Sequence, residues 1–348
     1  MEVNINRNSS FELLRLIAQY IIIVYHILLF CFINNGASLT PAVHKSICIP
    51  LHIGVILYVL ISGYFGIRFA LKSVFKIVAN LLVYGLIFAL VAHFCFGDKF
   101  GLSKIFFISN SPFWFVNVYL MLYFLSPLLN KIKVGLTSTN RSILLVILIW
   151  ISCYIGLLGF DKSFALGKNL INFILVYFIG DTISLNKDRI NKIPLLYIVL
   201  LYLLVNLFSI VVYLIMPSSE LAYSLVFNYN SPLLIVNAIC FFIPFMRIEF
   251  YCKSINYIAT SCLAIYLIHS ANLFMLHPIR FASALIQSTT SNTMILMSMV
   301  LVLGFIIFIC AVFIDKILNP LWMLVSRFSN YVDTTQIGAI ARNWSCQT

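Results

Sequence analysis

Ten stretches of this chain stay apolar for about 18 residues or more, the length an α-helix needs to cross the hydrocarbon core of a bilayer. They lie near 12–33, 49–67, 74–97, 113–130, 142–160, 165–185, 193–216, 231–248, 254–276 and 292–318. With 62% of the 348 residues apolar and 9% charged, too little polar surface remains to wet a soluble globule. A soluble enzyme, a secreted disulfide scaffold and a disordered chain are excluded. An outer-membrane barrel is excluded as well, because its strands alternate apolar and polar. The pattern predicts an all-α, polytopic integral membrane protein of about ten transmembrane helices. The fourth run is among the shortest and carries Pro127, and the polar-broken stretch 100–110 reads as interfacial.

The net charge of +12 is informative through its distribution, since cytoplasmic loops collect Lys and Arg. If both termini are cytoplasmic, the outer loops hold Lys45, Lys99, Lys104, Lys162, Lys168 and Arg280, and the other 16 of the 22 cations lie inside. The bias predicts an N-in, C-in protein whose basicity sets topology rather than binding nucleic acid. A signal peptide fits poorly, because the first run is too long and carries Arg15 and His26. Residues 1–11 then form a cytoplasmic N-terminus, 12–318 a membrane domain and 319–348 a cytoplasmic tail, with no separate soluble domain and no internal repeat. Most of the nine cysteines fall inside apolar runs without metal-ligand spacing, so neither a metal site nor a disulfide framework is expected.

Polar groups at bilayer depth are costly and mark function by default. In the first run Glu12, Arg15, Gln19 and His26 fall within roughly 40° of one line at about 100° per residue. Such a stripe predicts a lined cavity. At a rise of about 1.5 Å per residue, His26 lies some 16 Å beyond Arg15. The second run ends Ile61-Ser62-Gly63-Tyr64-Phe65-Gly66, whose glycines allow close packing or a helix break. Arg68, Lys72 and Lys76 follow and suit phosphates, although topology-setting and lipid-headgroup contact is the plainer reading. The fourth run opens with Trp114 and carries Asn117 one turn inside, a pair able to hold a sugar ring or to anchor at the interface. Tyr266, His269 and Ser270 end the ninth run, with His269 at a depth comparable to His26. Asp181 and Asp315, near inner helix ends, are expected to pair structurally with loop cations.

Four segments in order, "FELLRLIAQYIIIVYH", "LISGYF", "FWFVNVYLMLYFLSPLL" and "INYIATSCLAIYLIH", resemble the membrane acyltransferase 3 family, which includes bacterial polysaccharide O-acetyltransferases. The likeness runs along roughly 9–318. It implies about ten helices in the cytoplasmic (inner) membrane, an acyl-CoA donor supplied from the cytoplasm, with acetyl as the family's usual group, and a hydroxyl of a surface glycan or lipid-linked sugar as acceptor. Two departures stand out: Arg68 and Lys72 are four apart where some members have a tight basic pair, and the C-terminal periplasmic hydrolase-like domain of some members is lacking.

Within that frame His26 is the candidate base, or a covalent acyl carrier, and Arg15 orients the donor. Arg68, Lys72, Ser62 and Tyr64 are candidate donor-binding residues, and Trp114, Asn117, Tyr266, His269 and Ser270 candidate acceptor-binding ones. A secondary transporter of a small anion or lipid-linked sugar is the alternative; the absence of an inverted repeat between the halves tilts against it. A glycan polymerase or ligase is a third reading, and it would normally carry a long polar outer loop.

Overall fold

The computed structural model describes residues 8–29, 41–97, 113–158, 162–271, 278–289 and 293–346. The expected interfacial stretch 100–110, Arg7, Lys99, Lys104 and the ends 30–33 and 272–276 of two runs lie outside the described residues. All the described regular structure is helical. In hydrocarbon every backbone N–H and C=O must be satisfied within its own segment, which leaves a helix as the only solution for an apolar run.

Eight helical segments are long and apolar enough to cross a membrane. The principal helices are α1 (Ser9–His26), α2 (Gly54–Phe65), α3 (Leu71–Phe96), α4 (Trp114–Gly135), α5 (Ser138–Ile149), α6 (Leu170–Leu185), α7 (Leu195–Ile215) and α8 (Pro232–Arg247). They continue with α9 (Lys253–Ala259), α10 (Cys262–Ser270), α11 (Thr293–Ile317), α12 (Asn319–Thr334) and α13 (Gln336–Cys346). The ten predicted runs all meet helix, but two fall short of a full span. The sixth becomes α6, 16 residues preceded by a 3₁₀ segment. The ninth is broken at Thr260–Ser261 into α9 and α10. Pro127 does not end α4, which runs on to Gly135.

The tail expected after 318 is folded. Helix α12 packs along α3, pairing Phe328 with Phe75 and Trp322 with Tyr84.

Helix α1 is the hub, packed against α2, α8, α9, α10 and α11. Its start is tied down: the Ser9 N–H donates to the Phe250 carbonyl (2.8 Å), and Ser9 Oγ accepts the Cys252 N–H (2.8 Å). Close approach is bought with glycine. A Cβ at Gly54 would meet the Ile22 side chain and the Ala18 carbonyl of α1, and one at Gly304 would meet Val24. The tightest contact joins α2 and α6, where Gly63 lies on the Tyr177 backbone and Gly180 on that of Leu60. Both expected uses of glycine after Ser62 are therefore present, since Gly66 breaks the helix with φ +74°. Outward faces, such as Leu196, Leu203, Leu204 and Leu207 of α7, are apolar and exposed, as lipid contact requires.

The chain beyond Gly66 is clamped in place. The Tyr177 hydroxyl accepts the Ile67 N–H (3.1 Å) and donates to Asn130 Oδ1 (2.7 Å), while the Tyr123 hydroxyl bridges the Arg68 carbonyl and the Ala70 N–H. Beneath it, Asp181 pairs with Lys133 (2.8 Å) and Arg141, as expected for a structural carboxylate. Asp181→Ala removes the shared partner of two partly buried cations. The cost lies between about 1 kcal/mol for an exposed pair and about 3–5 kcal/mol for a fully buried one, so the purified variant is expected to melt below wild type in a thermal-unfolding scan. An unchanged midpoint would deny the cluster its structural role.

Candidate active site

The polar stripe of α1 connects two ends of the bundle. At the Ser9 end, buried Glu12 accepts from Arg15 Nη1 at 2.7 Å, and Arg15 keeps 28% of its side-chain surface exposed. The Tyr58 hydroxyl donates to the Arg15 carbonyl (2.8 Å) and lies beside Gln19. Ser62 Oγ is 3.1 Å from the Tyr119 hydroxyl, which in turn lies within electrostatic reach of Arg15. Tyr58, Tyr119 and His26 sit deep in the bundle yet retain accessible surface, so they line internal space rather than fill a packed core. Gln19 is buried on the same line, and its Oε1 has no hydrogen-bond partner among the described residues.

At the other end, α1 delivers His26 to within 5.3 Å of His269, ring centroid to centroid. Just past His26 the helix loosens into π-type turns over 27–29, a distortion frequent at functional sites. His269 is positioned by its own helix. Its Nδ1 lies 2.6 Å from the Ile265 carbonyl, and a carbonyl only accepts, so Nδ1 carries a proton and, in the neutral ring, the lone pair is on Nε2. Ser270 Oγ lies 3.3 Å from that Nε2.

The break that aims α10 is pinned by Asp315. Its carboxylate accepts from Ser261 Oγ (2.7 Å), the Tyr84 hydroxyl (2.9 Å) and Trp322 Nε1 (3.0 Å), with Lys316 at 3.7 Å. Neutral donors therefore outnumber the cation that was expected to pair with it.

Aromatic rings close a circuit around the two histidines. Starting from Trp114, the ring contacts run to Tyr229 (5.0 Å), His52 (4.5 Å), Tyr25 (4.8 Å) and His26 (5.8 Å). From His269 they return through Tyr266 (6.0 Å) and Phe115 (5.7 Å) to Trp114 (6.2 Å). His52 is fixed by donating Nε2–H to the Phe227 carbonyl at 2.8 Å. Two neighbouring imidazoles, an alcohol and flat apolar faces suit proton transfer on a ring-shaped substrate.

The family profile described as an acyltransferase domain matches residues 8–315. The chain belongs to the acyltransferase 3 family. No curated protein and no solved structure matches it.

In this membrane acyltransferase the candidate residues separate into four groups. His26, His269, Ser270, Tyr266 and Trp114 converge at one end, with Asn117 half-buried one turn further along α4. Arg15 and Ser62 lie together towards the other end. Tyr64 does not join them: its ring packs with Phe11 (5.2 Å) and Phe242 (5.5 Å) in an aromatic cluster at the start of α1. Arg68 and Lys72 are exposed just beyond α2, at the Ser9 end of the bundle. Sequence reasoning passed over His52, Tyr25, Tyr229 and Lys168. His52 was open to discovery by the argument that found His26, since it is an ionisable group in an apolar run; the tyrosines carried no such signal.

Proposed function

We propose that this acyltransferase moves an acetyl group from cytoplasmic acetyl-CoA to a hydroxyl of a cell-surface glycan or lipid-linked sugar, in the inner membrane and with both termini cytoplasmic. The observation that carries the reading is the His26–His269 pair at one end of a polar line that begins at Arg15. The two ends are separated by about 16 Å of helix. An elongated thioester entering beside Arg15 reaches the histidines along the space lined by Tyr58 and Tyr119. The acceptor hydroxyl gives its proton to an imidazole nitrogen, and its oxygen attacks the thioester carbon. The C–S bond breaks, and the proton finishes on the CoA sulfur. His26 is the base of choice, with a covalent acyl-histidine as the alternative route. With Nδ1–H turned to the Ile265 carbonyl, Nε2 of His269 in its neutral form serves as hydrogen-bond acceptor or relay, and Ser270 and Tyr266 are the proposed oxyanion donors.

Membranes carrying the protein are expected to transfer label from [acetyl-¹⁴C]acetyl-CoA into alkali-labile glycan ester. A secondary transporter would leave the thioester intact, and that outcome would reverse the assignment. Arg15→Gln is expected to raise the KM for acetyl-CoA about tenfold to a hundredfold, the worth of a hydrogen bond to a charged group, while kcat changes little. A fall in kcat at unchanged KM would remove Arg15 from the donor site.

A further inference from the structure

The loop ahead of α6 is held in an uncommon shape. Leu166 and Gly167 both adopt left-handed backbone, with φ of 57° and 78°, which is costly for leucine. The Tyr229 N–H donates to the Leu166 carbonyl (2.9 Å), and Asn172 Nδ2 donates to the carbonyls of Gly167 and Tyr229, both at 3.0 Å. A Cβ on Gly167 would strike the backbone of Tyr229 and Asn230. This strained loop delivers Lys168, whose Nζ stands 5.3 Å from the Trp114 ring, on the aromatic circuit and within electrostatic reach of His26 and His52. Lys168 is half-buried, burial lowers its pKa, and no carboxylate among the described residues pairs with it. On either side of Tyr229, Asn228 and Asn230 bury amide oxygens that have no hydrogen-bond partner among the described residues.

We propose that Lys168 is the anion-binding element of the acceptor site and selects a sugar bearing a carboxylate or a phosphate. This rests on the aromatic circuit being the acceptor site. Trp114 and Tyr229 offer flat faces to a sugar ring. Among the described residues this half-buried ammonium has no counter-charge, and an anionic sugar, unlike a neutral one, supplies it. Strained backbone maintained by three hydrogen bonds is a costly way to place a lysine that merely marks an outer loop.

The test is binding to the purified full-length protein in nanodiscs, read by tryptophan fluorescence, with Trp114→Phe identifying the reporter. The probes are glucuronic acid, glucose 1-phosphate and methyl glucoside. One or both anionic sugars are expected to bind at least tenfold more tightly than methyl glucoside. Lys168→Met should erase that preference and Lys168→Arg should keep it. Equal binding of neutral and anionic sugars by wild type, or a preference that survives in Lys168→Met, overturns the proposal. So does an equal loss of all three sugars in Lys168→Met, which marks a structural lysine. Because binding is read without acetyl transfer, a charge preference with no ester formed from acetyl-CoA leaves the anion site standing and removes the transferase reading instead.

Discussion

His26→Ala is expected to lower the rate of acetyl transfer by about 10²–10⁴-fold, the usual contribution of a positioned general base. The side chain is placed for that role by three features: the α1 stripe that leads to it, the loosened turns that follow it and His269 at 5.3 Å. Alanine removes the ring without inserting anything into the space it lines, so the bundle should fold and the effect should appear in kcat. Rapid quenching after acetyl-CoA is supplied without acceptor separates the two routes open to His26. Label on the wild-type protein that is absent from His26→Ala marks an acyl-histidine, and its absence from both leaves proton abstraction. A variant that folds and transfers at the wild-type rate would take the chemistry away from this residue.

His269→Ala is the informative companion. If Nε2 of His269 only relays or accepts a hydrogen bond, the loss should be smaller than for His26. An equal loss would mean that the two imidazoles act as one unit, since such effects are grossly non-additive.

The helices were legible because hydrocarbon length leaves an apolar run few alternatives, and the stripe on α1 was legible because 3.6-residue periodicity puts Arg15 and His26 on one line. Side-chain direction at a helix end was not. Tyr64 was grouped with Ser62 by nearness in sequence, yet two residues along a helix turn about 200°, which sends Tyr64 into the Phe11 cluster while Ser62 meets Tyr119. The break before α10 was hidden for a different reason. Its cause is Asp315, far along the chain, drawing Ser261 into a buried network. Lys168 looked like an ordinary loop cation because its placement depends on the backbone of Leu166 and Gly167, which composition does not reveal.

Gly63→Val is expected to have the largest effect on folding. The Cβ it adds would fall on the Tyr177 backbone, and a main-chain carbonyl in the middle of α6 has no rotamer with which to yield. Helices α2 and α6 would have to separate, and Gly180, seated on Leu60, would lose its contact with them. The damage would spread, because Tyr177 also holds Ile67 and Asn130 and so fixes the exit of α2. Overpacking a well-filled site costs about 1–3 kcal/mol when side chains can shift, and a backbone clash exceeds that range. The expected result is little or no monodisperse protein after extraction. Gly135→Ala is the control, because a Cβ there meets nothing within 4 Å and alanine favours the helix end. Should Gly63→Val be recovered in wild-type yield with an unchanged melting midpoint, the α2–α6 contact would be looser than these positions require, and Ser62 would no longer be held rigidly beside Tyr119.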